Sequence, residues 1–105
     1  MFSEFSNGYY FSKYWVTENK ETSTINEKEY DIIKNNIYST NTTPIIMKIG
    51  SMHFEVRGSA NTPSKTIQLS NEILEHINID RIPTKQPVFL AKPKFAKQII
   101  NMYSM

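Results

Sequence analysis

Few residues in this chain are equipped for chemistry, and their spacing argues against catalysis. There are two histidines, His53 and His76, and no cysteine. Nucleophilic catalysis needs a base held beside its nucleophile. His53 falls on the polar side of an alternating segment, and His76 sits in an amphipathic stretch with Glu72 and Glu75. Each reads as a surface or hydrogen-bonded structural histidine. Two histidines without a carboxylate of defined geometry do not make a metal site. Without cysteine there are no disulfides, iron–sulfur clusters, cysteine-bound zinc or thiol catalysis. Glu27 and Glu29 fall on different faces of a predicted helix, and Glu72 and Glu75 lie early in another, where negative charge favours the helix dipole. Gly8, Gly50 and Gly58 are isolated, so no glycine-rich loop cradles a phosphate. The residues assign no catalytic group, no metal site and no cofactor. The reading is a non-enzymatic protein.

Binding chemistry has more to work with. The net charge is only +2, but it is unevenly spread. Up to Thr40 four lysines face six acids, and the remainder carries a net +4 with nothing acidic after Asp80. Arg81, Lys85, Lys92, Lys94 and Lys97 form an unopposed basic run, which serves either as a solvated face or as a set of phosphate contacts. Tyr9, Tyr10, Phe11, Tyr14 and Trp15, with Lys13 among them, offer rings on which bases stack. Core packing is the competing use of those rings, and the favoured one. The usual ribonucleoprotein motif is absent, because Phe54 shares a face with Met52 and Val56 and is predicted to be buried.

The elements that must position these groups follow from periodicity. At 105 residues and 39% hydrophobic content the chain suits one small domain spanning 1–105. Gly8 to Val16 is aromatic and β-branched on both faces, which predicts a central strand. Thr24 and Glu27 have capping-box spacing, and Tyr30, Ile33 and Ile37 recur helically, predicting a helix over 25–38 that ends before Pro44. From Ile45 to Arg57 the pattern is a hairpin around Gly50-Ser51, with glycine first in a type II′ turn. Met52, Phe54 and Val56 face the core there, and His53, Glu55 and Arg57 form the polar face. Lys65 to Leu69 is read as a short third strand that makes a meander. Ser70 caps a helix over 71–77, with Leu69 and Leu74 as a hydrophobic staple. Residues 81–87 read as irregular, 88–91 as a strand. Pro93 opens a closing helix whose stripe is Phe95, Ile99 and Met102 with Ile100 and Tyr103. The fold class is α+β: a mixed or antiparallel sheet with a central hairpin and about three helices. A ferredoxin-like arrangement and a mixed sheet flanked by helices both fit this order.

Three segments resemble a known family. Phe5-Ser6-x-Gly8-Tyr9-Tyr10, Met47-Lys48-x-Gly50-Ser51-x-His53-Phe54-x-Val56 and Leu90-Ala91-Lys92 are similar to blocks in small archaeal proteins of unknown function, best represented in haloarchaea. The resemblance covers nearly the whole chain, and its first two blocks are the specific ones. Halophilic members are acidic, whereas this chain is rich in Ile, Asn and Lys, which implies a non-halophilic archaeon with an AT-rich genome. The family supplies no activity. No apolar run reaches the ~18 residues of a membrane helix, and the start has no signal-peptide pattern, so the expected location is cytoplasmic. The expected function is binding to RNA or to a ribonucleoprotein such as the ribosome, through Arg81, Lys85, Lys92, Lys94 and Lys97. The alternative is a protein-interaction or regulatory module, homodimeric in one form, that docks through the hairpin edge or the closing helix.

Overall fold

Strand alternation turns one side of each strand inward, and the burial pattern follows it closely. Tyr14 and Val16, Ile67 and Leu69, Val88 and Leu90 are all fully buried at two-residue spacing. Among the described residues these positions belong to three of eight strands: β1 (Ser3–Glu4), β2 (Gly8–Asn19), β3 (Thr24–Asn26), β4 (Ile46–Ile49), β5 (Met52–Glu55), β6 (Arg57–Ser59), β7 (Thr66–Ser70) and β8 (Thr84–Ala91). The helices that accompany them are α1 (Glu27–Asn36), α2 (Asn71–His76) and α3 (Pro93–Tyr103). This computed structural model describes residues 3–4, 7–19, 21–38, 43–79 and 81–103. Phe5 and Ser6 of the first sequence block, residues 39–42 after the first helix, Asp80, and the side chains of Met102 and Tyr103 lie outside the described residues.

The strands form one mixed sheet in the order β5-β4-β8-β2-β7-β3-β6, with β1 alongside the start of β2. The two ends of that order, β5 and β6, are consecutive in the chain and separated only by Val56. β5 is antiparallel to β4, and β6 runs parallel to β3. The Val56 amide donates to the Ile45 carbonyl, and the Arg57 amide donates to the Ser23 carbonyl. A single bent strand therefore ties both edges together, and the sheet curls nearly into a barrel. Its interior is filled by Met47, Phe54, Val56, Ile25, Ile67, Leu69, Leu90 and their neighbours.

The α+β class and the mixed sheet are as expected, but two finer expectations are not met. The hairpin forms with Lys48 opposite His53, and Gly50 has φ +60, as a type II′ turn requires at its first central residue. It lies at one end of the strand order, however, rather than at its centre. The order is also not ferredoxin-like. β2 and β4 are each antiparallel to β8 and so run parallel to each other, but β3 as well as α1 lies between them in the chain, and the strand between them in the sheet is β8 rather than the return strand of the hairpin. Nor does β7 complete a meander with β5: it pairs with β2 in parallel and with β3 in antiparallel sense.

Local chemistry explains the shifted boundaries. Asn26, not Thr24, caps α1, its side chain accepting from the Lys28 and Glu29 amides. Thr24 is instead buried in β3, where its hydroxyl contacts the Thr62 hydroxyl and the Gln68 amide oxygen. At the other end α1 stops at Asn36, because Tyr38 is a fully buried strut whose hydroxyl donates to the Ala91 carbonyl at 2.6 Å. Ser70 does stand at the N-cap of α2 but makes no side-chain capping bond. Residues 84–87, expected to be irregular, belong to β8. Pro87 is tolerated inside that strand because β4 pairs only with Phe89 and Leu90, leaving the same side of β8 unpaired at Pro87. Pro93 opens α3 as expected, and the helix buries Ala96 and Ile99. Among the described residues no helix is long and apolar enough to cross a membrane.

Candidate nucleic-acid interface

Residues paired across an antiparallel ladder share a face of the sheet. Since Val88 and Leu90 point inward, Lys85, Pro87 and Phe89 point outward. Their partners turn with them: Trp15 lies opposite Lys85, Lys13 opposite Pro87, and Tyr10 opposite Phe89. A register shift between Tyr10 and Ser12 absorbs Phe11 and leaves Tyr10 and Lys13 on the same side. On the other flank of β8, Lys48 pairs with Phe89 and also with His53. One outer face thus carries His53, Lys48, Phe89, Tyr10, Lys13, Lys85 and Trp15, rings and lysines interleaved across four strands.

The contacts along this face are specific. The Lys85 Nζ lies 5.4 Å from the centre of the Trp15 ring, which is 44% exposed. Tyr10 and Phe89 meet edge to face at 5.5 Å. At the far end α3 stands against the hairpin, with the Phe95 and His53 rings 5.6 Å apart. Between them opens a hollow of about 370 Å³, lined by Asn7, Gly8, Tyr9, Lys48, His53, Phe89, Leu90, Ala91 and Phe95. Burial lowers the His53 pKa, and the nearby Lys48 charge lowers it further, so the imidazole is neutral at pH 7. Lys92 sits over the Tyr9 ring at 5.6 Å.

The aromatic strand is therefore divided between two uses. Tyr14 is wholly inside and donates to Glu29 Oε1 at 2.7 Å, and burial followed by this carboxylate pushes its pKa far up. Glu29 also accepts from the Ser64 hydroxyl and the Lys65 amide, so it works as a clamp between α1 and the loop before β7. Trp15 and Tyr10 face outward instead. The basic run is divided as well. Lys85 joins the outer face beside Trp15, with Arg81 exposed just ahead of β8. Lys92 follows the other end of β8, roughly 20 Å away at ~3.3 Å per residue, and Lys94 and Lys97 are exposed on α3.

The polar hairpin residues also part company. His53 belongs to the hollow, whereas Glu55 and Arg57 are exposed and form an ion pair at 3.7 Å beside Ser23 and Ser70. Such surface pairs contribute little stability. His76 bonds its own helix through Nδ1 to the Glu72 carbonyl. No group of three or more metal-ligating side chains occurs among the described residues. Lys48, Phe89 and Phe95 are not among the binding residues read from the sequence. A signal existed for the first: a two-residue turn at Gly50-Ser51 places Lys48 opposite His53.

The fold and site define a class: a small, nearly closed mixed-sheet α+β domain with one aromatic and basic outer face. The profile of a family of unknown function, DUF5802, matches residues 1–105, and the chain belongs to that family. No curated protein and no solved structure matches it.

Proposed function

We propose that the protein is a non-enzymatic binder of single-stranded RNA, free or within a ribonucleoprotein, and that the outer face of β5-β4-β8-β2 is its contact surface. The observation that carries this reading is the interleaving of Tyr10, Trp15 and Phe89 with Lys13, Lys48 and Lys85 on one side of the sheet. Sequence-tolerant single-strand binding uses this combination, with rings for the bases and cations for the backbone. The reading takes the chain as cytoplasmic and from a non-halophilic archaeon, in keeping with lysines rather than acids on this face.

A protein-docking role through the hairpin edge draws less support. The hairpin edge is a single four-residue strand, β5, which ends at Val56 where the chain turns into β6, so it offers only a short stretch for pairing. Lys85 and Pro87 guard the unpaired stretch of β8, as charged and proline residues do on edges. The test is anisotropy of a labelled single-stranded RNA with the native chain, Trp15→Ala, and the Lys13→Ala/Lys85→Ala pair. Each variant is expected to weaken binding, Trp15→Ala by about 1–3 kcal/mol for a lost stacking contact. Equal affinity across all three, or a stable homodimer with no RNA affinity, rejects the proposal.

A further inference from the structure

The row of rings and lysines ends at the half-open hollow between α3 and the hairpin. We infer that the hollow between α3 and the hairpin is a pocket for one nucleoside monophosphate unit, its base among Phe89, Phe95 and Tyr9 and its phosphate toward Lys48. This rests on the single-strand reading above, which it deepens by assigning one subsite.

Three observations support it. First, its volume of about 370 Å³ lies at the small end of ligand pockets, suited to one nucleotide rather than a chain of them. Second, its walls combine ring surfaces with a cation: Phe95 packs edge-on to His53, and Lys48 stands directly across the hairpin from it. A neutral imidazole offers one donor and one acceptor, the complement of a base edge, while the lysine supplies positive charge for a phosphate. Third, the pocket is assembled from segments distant in sequence, near Gly8, Lys48 to His53, and Leu90. The β2–β8 and β4–β8 ladders tie these segments together.

The monophosphate could come free or as a unit of a strand, and the test separates these sources. Calorimetric titration with adenosine and uridine 5′-monophosphates, and with their unphosphorylated nucleosides, should show the phosphate improving affinity about tenfold. Lys48→Met keeps the aliphatic stem and should abolish that difference, and His53→Gln should weaken both ligands. Thermal unfolding of each variant verifies that it folds. If Lys48→Met also weakens a single-stranded RNA about tenfold, the pocket holds a unit of the strand. If only the free monophosphates are affected, the pocket holds a free nucleotide. No binding of monophosphates, together with RNA affinity unchanged in both folded variants, overturns the pocket and leaves the single-strand reading intact. Monophosphate binding without RNA binding upholds the pocket and removes that reading.

Discussion

His53 is neutral in the fold because its partial burial and the charge of Lys48 both oppose protonation. Linkage then fixes a sign. As pH falls below ~6.5 the unfolded chain takes up a proton that the folded chain resists, so stability present above that pH declines between there and the lowered folded value. His53→Gln should remove this acid-side component, as urea melts at pH 7.5 and pH 5 would register. An unchanged pH dependence in the variant would place the titration elsewhere. At the alkaline end Tyr38, pushed up to about 12 by burial, and Tyr14 resist ionisation in the fold. Stability should therefore fall as pH rises above ~10, where unfolded tyrosines ionise. Tyr14→Phe removes one hydrogen bond to the Glu29 carboxylate and should cost about 1.5–3 kcal/mol in chemical denaturation. None of this was legible from residue type. Tyr14 and Trp15 are adjacent and both aromatic, and only the strand's position between β7 and β8 decides which one is inside.

Elements were read better where their signals were local. The Gly50-Ser51 turn and the alternation of Met52, Phe54 and Val56 specify the hairpin on their own, and proline at the start of α3 does the same for that helix. Thr24 and Asn26 show the limit. Both are good caps, and the choice fell to Asn26 because β3 needed Thr24 for the buried contacts with Thr62 and Gln68. Pro87 misled for a related reason: it breaks a strand only where both sides are paired, and one side of β8 there is open. The β2–β8 ladder yields a prediction at this scale. A Cβ at Gly8 would lie 2.5 Å from the Leu90 carbonyl oxygen, closer than atoms pack. Gly8→Ala should force the ladder apart beside the hollow, destabilising the protein by roughly 1–3 kcal/mol, an overpacking cost. Denaturant midpoints would measure it, and a neutral outcome would mean that the strands separate there without cost.

At the scale of the whole molecule, the decisive feature is the bend at Val56, which lets one strand serve β4 and β3 and draws the sheet toward closure. Sequence could not announce it, because β3 and β6 have three residues each and meet only in space. Strand pairing gathers lysines from β2, β4 and β8, widely separated in the chain, onto one surface, whereas the contiguous basic run is divided and gives that surface Lys85. A strand engaging Lys13, Lys48 and Lys85 would release counterions at each contact, giving a slope of log K against log salt of about −2, at ~0.7 per single-strand contact. Trp15 is the only tryptophan in the chain and lies within this surface, so its emission reports directly on occupancy. Titration of the native protein with single-stranded RNA at several salt concentrations should quench that emission saturably, with affinity falling along the slope given. Emission that does not respond to RNA, or an affinity indifferent to salt, would contradict the account.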